Sequence, residues 1–216
     1  TQVGSTTDFD TGTNFLRSIA WSPDSKYVAA GADVFGSNQS FYLFSFDGSD
    51  ITTFLAPSEF EGFKVRDIDW HPSGKYLIIA GNDSDDIGDL LLYSFDGVSL
   101  DSKYSVSYGS SNTTRSARSP DGRFLAVGGR LADPNDDLQI FYFDRVNEKL
   151  DLIVTAEPFS GGVRNLDWSA DGRYLVVGGA DASGSDYILY EFDGSSLSLI
   201  GSGLDLAQDT WSVKFS

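Results

Sequence analysis

The sequence predicts an all-β protein built from four copies of one four-stranded unit. Three observations predict this: a four-residue phrase that returns every 48 to 50 positions, short runs in which apolar and polar residues alternate, and turn residues between those runs. The copies of the phrase are Trp21-Ser22-Pro23-Asp24, Trp70-His71-Pro72-Ser73, Arg118-Ser119-Pro120-Asp121 and Trp168-Ser169-Ala170-Asp171.

The first strand of each unit ends at the Trp position of the phrase. Residues 18–21, 67–70 and 165–168 alternate between apolar and polar side chains, which is the period of a β-strand. The phrase itself is fullest at 119–122, where Ser-Pro-Asp-Gly combines a proline that fixes φ with a glycine that accepts a positive φ. We therefore predict a tight hairpin between the first and second strands.

The second and third strands of each unit are more apolar. The second is a continuous apolar run that indicates burial on both faces, predicted at 26–31, 75–81, 123–129 and 173–179. The third is rich in aromatic residues and ends in Asp-Gly or Asp-Arg, a strong hairpin signal, and it is predicted at 41–46, 90–95, 138–143 and 187–192.

The fourth strand is more polar, which is typical of the outer edge of a sheet, and it is predicted at 51–55, 100–106, 150–155 and 197–200. Four antiparallel strands per repeat, with apolar strands between neighbours, are typical of the blades of a β-propeller. We predict one propeller domain over 1–216, with four complete blades and stray terminal strands. The blades lie at approximately 15–57, 64–107, 113–156 and 162–203, with an outer strand left over at 1–10 and the inner strand of a fifth unit at 211–216.

Four complete blades with stray strands indicate either a fragment of a larger ring or a ring that another chain completes. The order hydrophobic-x-Trp-Ser-Pro-Asp-Gly-Lys/Arg-Tyr-Leu-x-x-Gly-Gly, followed by an aromatic strand, resembles the Trp-Asp (WD) repeat propellers across nearly the whole chain. The chain departs from that family's pattern because it has no Gly-His dipeptide and its third strands end in Phe-Asp rather than Trp-Asp. The resemblance implies a divergent WD-like propeller that binds through the face carrying the loops between second and third strands.

The amino-acid composition limits the classes of partner that this protein can bind. Its 15 Lys and Arg against 32 Asp and Glu give a formal charge of -17, which repels nucleic acid and anionic lipid. No stretch is long and apolar enough to insert into a membrane. We expect a protein partner or self-association through exposed blade edges, with no nucleic acid and no membrane insertion. The absence of cysteine does not choose between a secreted and a cytoplasmic location.

The loops between second and third strands carry ten aspartates. Either they form a docking surface for a basic partner or weak calcium sites, or they serve only solubility and turn formation. The candidates for partner binding are Asp83, Asp85, Asp86, Asp136, Asp137 and Asp186. The other four loop aspartates are Asp33, Asp89, Asp133 and Asp181.

Residues 82–89 resemble a calcium-binding loop but lack the glycine at its sixth position and the glutamate at its twelfth. We therefore assign no metal site, with Asp83, Asp85 and Asp89 as the candidates should one exist. The sequence requires no cofactor, and calcium is the alternative that these carboxylates leave open.

Three arginines recur four residues before the strand-ending Trp. Arg17, Arg66 and Arg164 should lie together at the mouth of the central channel, where guanidinium groups would hold a carboxylate or phosphate. The alternative is that they form structural pairs with acidic neighbours such as Asp67, Asp69 or Asp167. We include the three arginines among the candidate partner-binding residues.

No residue is assigned a catalytic role. The one histidine, His71, takes the Ser position of the phrase, and we expect it to be an exposed turn residue. The near-identity of the blades predicts a non-catalytic scaffold that binds protein or glycan through one loop-bearing face, and not an enzyme. The alternatives are a propeller hydrolase or lactonase that uses channel-mouth carboxylates with calcium, and a self-assembling repeat protein.

Overall fold

A computed structural model of the chain describes residues 15–34, 38–82, 89–107, 112–130, 137–179, 185–203 and 210–215. Over these ranges the secondary structure consists of sixteen β-strands and one 3-10 helix of three residues, Ser58–Phe60. The predicted all-β class is confirmed. No helix among the described residues has the length and apolarity needed to cross a membrane.

Contacts divide the chain into two compact units, Thr1–Ser107 and Tyr108–Ser216, each with two antiparallel four-stranded blades. Unit 1 holds blade 1, made of β1 (Phe15–Trp21), β2 (Tyr27–Asp33), β3 (Phe41–Phe46) and β4 (Ile51–Leu55), and blade 2, made of β5 (Lys64–Trp70), β6 (Tyr76–Asn82), β7 (Leu90–Phe95) and β8 (Leu100–Val106). Unit 2 holds blade 3, made of β9 (Asn112–Arg118), β10 (Phe124–Arg130), β11 (Leu138–Asp144) and β12 (Lys149–Ala156), and blade 4, made of β13 (Val163–Trp168), β14 (Tyr174–Gly179), β15 (Tyr187–Phe192) and β16 (Leu197–Gly203).

The four-stranded antiparallel blades are as predicted, and the polar fourth strands β4, β8, β12 and β16 lie at sheet edges. In unit 1 a single backbone pair, Asp33 with Lys64, links the sheets of blades 1 and 2. The single domain over 1–216 stays a prediction. The outer strand predicted at 1–10 lies outside the described residues.

The repeated phrase forms the turn between the first and second strands. In blade 1 the Ser22 hydroxyl donates to Asp24 Oδ1 at 2.7 Å and accepts the Tyr27 amide at 2.9 Å. Ser119 and Ser169 make the same two bonds in blades 3 and 4. The phrase thus closes its turn with side-chain hydrogen bonds as well as with backbone geometry.

His71 is buried and not exposed as predicted. Its Nδ1 lies 2.7 Å from Ser73 Oγ and accepts the Ser73 amide at 3.0 Å, so the imidazole replaces the serine hydroxyl of the other turns. Its ring also packs edge-to-face against Tyr76, with centroids 5.9 Å apart. The exposure prediction is wrong because the Ser position of the turn faces the blade.

The core of each unit lies between its two blades. In unit 1 a Cβ added to Gly31 would overlap the Val65 side chain and lie 3.1 Å from Ile68 Cδ1, so the glycine lets β5 approach β2. Trp70 Nε1 also donates to the Ala20 carbonyl of β1 at 3.3 Å. Unit 2 repeats this packing, with Gly128 against Val163 and Leu166, and Trp168 Nε1 bonded to the Ala117 carbonyl at 3.0 Å.

Residues 210–215 belong to no strand but run beside β13. The Val213 amide donates to Asn165 Oδ1 at 3.3 Å, and the Phe215 amide donates to Asp167 Oδ2 at 2.8 Å. A Cβ on Gly178 would lie 3.0 Å from Val213 Cγ1, which matches the packing of Ile68 near Gly31. This segment therefore occupies the position that an inner strand takes beside the preceding blade, without a backbone ladder.

Candidate functional site

The three recurrent arginines each occupy a β-bulge in the first strand of a blade. Strand pairing passes from Leu16 to Ser18 on β1 and skips Arg17. It skips Arg66 on β5 and Arg164 on β13 in the same way. Bulges re-aim a side chain and are common next to functional sites. In blade 3 the bulge position is Thr114.

In unit 1 two of these arginines meet at one carboxylate. Arg17 Nη2 lies 3.0 Å from Asp33 Oδ2, and Arg66 Nη2 lies 3.7 Å from the same oxygen. The Arg17 side chain is 41% exposed and that of Asp33 is only 10% exposed. The pair of guanidinium groups can therefore present N–H donors to a ligand oxygen while the buried carboxylate holds them in place.

Asp33 has no acidic counterpart in the other blades. It ends β2, and the matched positions in the sequence are Asn82, Arg130 and Ala180. Its Oδ1 is buried and makes no hydrogen bond to a described residue. From the sequence, Asp33 is one of the ten loop aspartates, and the acids expected to pair with the arginines are Asp67, Asp69 and Asp167. Comparing the four repeats position by position would have found it, as a charged residue that breaks the pattern.

Of the acids named as structural partners, Asp67 and Asp167 make other bonds. Asp67 Oδ1 accepts the Ser18 hydroxyl at 3.2 Å, and Asp167 Oδ2 accepts the Phe215 amide. The Arg164 guanidinium of unit 2 lies over the ring of Trp211, with Cζ 5.2 Å from the centroid. Trp211 is exposed, so this cation–π pair leaves an aromatic surface beside the bulge of β13.

The candidate loop carboxylates fall into two groups. Asp83, Asp85, Asp86 and Asp136 lie outside the described residues, as do Asp133 and Asp181. Asp137 and Asp186 are buried just before β11 and β15, where their carbonyls accept the amides of Gly129 and Gly179. Little of these two side chains reaches solvent, and their role in partner binding stays a prediction.

The calcium candidates are separated in the same way. Asp89 is buried before β7, and its carbonyl accepts the Gly81 amide at 2.9 Å, whereas Asp83 and Asp85 lie outside the described residues. Among the residues that the structure describes, no group of three or more His, Asp or Glu side chains could hold a metal ion. Calcium binding stays a prediction.

Family models match both units. A model described as "WD domain, G-beta repeat" matches residues 5–45 and 48–86. A model described as "Lactonase, 7-bladed beta-propeller" matches residues 108–211. A search of curated proteins found no match.

Solved propellers resemble the chain in fold. They include a proposed 6-phosphogluconolactonase from Bacteroides uniformis, 20% identical over 87% of this chain and 54% of that one, with a TM-score of 0.69. The periplasmic gluconolactonase PpgL of Pseudomonas aeruginosa is 17% identical over 88% of this chain and 54% of that one, with a TM-score of 0.68. The β-propeller domain of Cps50 (Swd1) from Myceliophteria thermophila is 16% identical over 90% of this chain and 60% of that one, with a TM-score of 0.61. The chain thus spans little more than half the length of the lactonases it matches.

The lactonase match overturns the prediction of a non-catalytic scaffold and the prediction that the protein is not an enzyme. The error came from treating similar blades as evidence against catalysis. The residues that repeat, such as Ser22, Asp24 and Gly31, close turns and let blades approach one another. A catalytic propeller needs those residues as much as a binding propeller does, so their regularity does not separate the two classes.

Proposed function

We propose that this chain, a WD-repeat-like β-propeller protein, is part of a hydrolase that opens lactone rings. The observation that carries the proposal is the lactonase family match at 108–211, which falls within unit 2. The resemblance in fold to two lactonases supports the same reaction class. The activity proposed is that of the whole protein, since the chain spans about half the length of those relatives.

Lactone hydrolysis adds water to the carbonyl carbon of a cyclic ester and breaks the ring C–O bond, giving a hydroxy acid. Negative charge develops on the carbonyl oxygen, and the product carries a carboxylate. N–H donors fixed close to those oxygens stabilise both species. Arg17 and Arg66 offer such donors at the bulges of neighbouring inner strands, and Arg17 is exposed enough to meet a substrate.

Asp33 acts in this proposal as a positioning residue. Its Oδ2 lies near both guanidinium groups, so it limits their movement before a substrate arrives. We therefore assign binding of the lactone carbonyl or of an anionic substrate group to the arginines, and their orientation to Asp33.

The test is hydrolysis of D-glucono-δ-lactone by the full chain, followed as acid release above the spontaneous rate. We expect Arg17→Gln and Arg66→Gln each to lower kcat/KM about tenfold to a hundredfold, the effect of losing one charge-assisted hydrogen bond in the transition state. Lys26→Gln is the matched control, because it removes one positive charge from an exposed position in the same unit. Its kcat/KM should equal that of the unmodified chain.

Asp33→Asn should lower kcat more than it raises KM if Asp33 positions arginines that act in the transition state. No hydrolysis above the spontaneous rate would count against lactonase activity in this chain. Equal losses in Lys26→Gln and Arg66→Gln would show a general effect of charge and remove the arginines from the site. A melting temperature that rises with calcium and falls with EDTA would support the calcium alternative.

We also propose that the outer face of β1 contacts a further propeller blade. The observation behind this is that Leu16, Ile19 and Trp21 are exposed, whereas their counterparts in β5 are buried against blade 1. If two copies of the chain supply that contact, sedimentation should show a concentration-dependent dimer that Ile19→Lys weakens. A monomer at all concentrations would exclude self-association through this face.

A further inference from the structure

Unit 2 has a cleft at the end of its inner strands opposite to the Arg164 bulge of β13. It lies where the first turns of blades 3 and 4 meet the hairpin between β15 and β16, and its volume is about 510 Å³. That volume is within the range of small-molecule sites, roughly 300 to 1,000 Å³. We call it the turn-side cleft, and it is lined by Phe124, Phe192, Asp121, Arg123, Asp171 and Arg173, with Asp193, Ser195 and glycines of the turns.

The floor of the turn-side cleft is aromatic. The rings of Phe124 and Phe192 meet edge-to-face, with centroids 4.9 Å apart and planes at 82°. Phe192 is buried and Phe124 is partly exposed. An apolar floor of this kind packs against the C–H groups of a flat ligand.

The rim of the cleft carries fixed hydrogen-bond donors. Arg173 donates from Nε and Nη2 to Glu191 Oε1, at 2.8 and 2.5 Å. Arg123 donates from Nε to Asp121 Oδ2 at 2.5 Å. These bonds use some of the N–H donors of each guanidinium group and hold the group in place. Its remaining Nη hydrogens bond to no described residue, which leaves them for a ligand.

The rim also carries acceptors that stay ionised. Asp171 Oδ1 accepts the Ser169 hydroxyl at 2.6 Å and the Arg173 amide at 3.0 Å, while its Oδ2 makes no hydrogen bond to a described residue. The Ser169 hydroxyl bond is the main cause that lowers the pKa of Asp171. The Ser196 hydroxyl and the Ser195 amide do the same for Asp193, whose pKa falls to about 2. These carboxylates can accept hydrogen bonds throughout the neutral pH range.

The matching junction in unit 1 is closed by one hydroxyl group. There the Tyr27 hydroxyl donates to the Gly97 carbonyl at 3.3 Å, across the gap between the turns of blades 1 and 2. Phe124 takes the place of Tyr27 in unit 2, and Gly194 takes the place of Gly97. Because phenylalanine has no hydroxyl group, no such bond spans the turn-side cleft.

We propose that the turn-side cleft of unit 2 binds a neutral mono- or disaccharide, as a second site besides the lactone site proposed for unit 1. Sugar hydroxyls both donate and accept hydrogen bonds, which fits a rim of guanidinium and carboxylate groups. A small ion of either sign would meet like charge on that rim. The hydroxyl-poor face of the sugar would pack against the exposed part of Phe124, beside the Arg123 guanidinium, whose Cζ lies 5.3 Å from the ring centroid.

The experiment titrates the full chain with maltose and with D-glucose, observed by saturation-transfer difference NMR. We expect binding in roughly the millimolar range. Phe124→Tyr should weaken it about tenfold, because the new hydroxyl can bond the Gly194 carbonyl as Tyr27 bonds that of Gly97. Tyr27→Phe is the converse variant: it removes the hydroxyl that closes the matching junction in unit 1, so it should not weaken sugar binding.

Arg123→Gln gives a second test, at a side chain that is 63% exposed and whose Cζ lies 5.3 Å from the Phe124 ring centroid. It should also weaken binding about tenfold while lactone hydrolysis stays unchanged. The proposal is overturned if neither sugar shows saturation transfer, or if both variants bind as the unmodified chain does. Loss of sugar binding with hydrolysis retained would separate this cleft from the proposed lactone site.

Discussion

The inner strands of blades 1 and 2 have the same kinds of side chain at matched positions but differ in how far those side chains are exposed. Trp21 of β1 is 49% exposed, whereas Trp70 of β5 is 6% exposed. Ile19 and Ile68 differ in the same sense, at 58% and 5%. The two strands pair with their own sheets alike, each with a bulge at its arginine.

This difference shows that a blade's own sheet does not bury the apolar face of its first strand. The burial comes from the preceding blade, whose Gly31 admits Val65 and Ile68 and whose Ala20 carbonyl accepts the indole N–H of Trp70. The repeat is therefore stabilised mainly by contacts between neighbours, as in other repeat proteins. Over the described residues, the matching face of β1 has no such cover, and Ile19 and Trp21 stay exposed.

The largest expected effect tests that difference directly. Trp70→Ala should destabilise unit 1 by about 3–5 kcal/mol, since it empties a buried site and removes the bond to Ala20. Trp21→Ala should cost no more than about 1.5 kcal/mol, because half of that side chain is already in water. Urea unfolding of the two variants measures both values. Equal losses of unfolding free energy in the two variants would mean that another surface covers β1 in solution. That result would contradict the difference in burial between Trp21 and Trp70.

The second prediction concerns the surface that covers β5. Gly31→Val should destabilise by about 1–3 kcal/mol, because its side chain would overlap Val65. The control is Gly201→Val on the edge strand β16, where an added Cβ meets no atom within 4 Å. Its unfolding free energy should change by less than about 0.5 kcal/mol. Thermal or urea unfolding measures both variants. An unchanged unfolding free energy in Gly31→Val would contradict close packing of blades 1 and 2.

The third prediction concerns the carboxylate that β1 and β5 share. Asp33→Asn should cost about 1–2 kcal/mol, because it removes the negative charge between Arg17 and Arg66 while keeping the shape. A double-mutant cycle with Arg17→Gln should show coupling, reduced by the partial exposure of Arg17. Asp50→Asn, on an exposed loop of the same unit, is the control. Additive effects of the two substitutions would show that the ion pair between Arg17 and Asp33 does not contribute to stability.

The smallest expected effect concerns the hairpin between the third and fourth strands, whose hydrogen bonds are alike in blades 1 and 2. It tests whether the exposure of β1 affects that hairpin. The amides of Asp50 and Ser49 bond to Asp47 and lower its pKa, and those of Ser99 and Val98 lower the pKa of Asp96. A carboxyl group whose pKa is lower in the folded protein than in the unfolded chain stabilises the folded state at pH values above its unfolded pKa, near 4. That contribution is lost as the pH falls toward the folded pKa.

Asp47→Asn in blade 1 and Asp96→Asn in blade 2 should therefore make the melting temperature fall less between roughly pH 5 and pH 2.5. The two variants should behave alike, unlike the two tryptophan variants, because both hairpins are exposed and make the same bonds. A clear difference between the two variants would show that the exposure of β1 also affects the hairpin between β3 and β4.

The fold could be predicted from the sequence because its determinants are local and repeated. Ser119, Pro120, Asp121 and Gly122 form their turn from neighbouring residues, and the Asp-Gly pairs after the third strands do the same. The alternation of apolar residues then gives each strand its faces. Nothing distant along the chain is needed to identify a blade.

The candidate site could be predicted only in part. The spacing identified Arg17 and Arg66, but the bulges that aim them arise from strand pairing, which spacing does not show. Asp33 meets Arg66 only because β2 and β5 pair at a single residue between blades. The sequence predicted a scaffold and kept a lactonase only as the alternative, because the repeat is dominated by residues of turns and packing that both classes need.

The substitution of His71 for serine in the second turn gives the molecule a built-in reporter. The chain contains one histidine, so the imidazole protons of that side chain give one set of proton NMR signals. Because the ring is buried and packs against Tyr76, its chemical shift in the folded state must differ from that of a free imidazole. A single resonance therefore measures, without labels, whether blade 2 is folded in any variant of this protein.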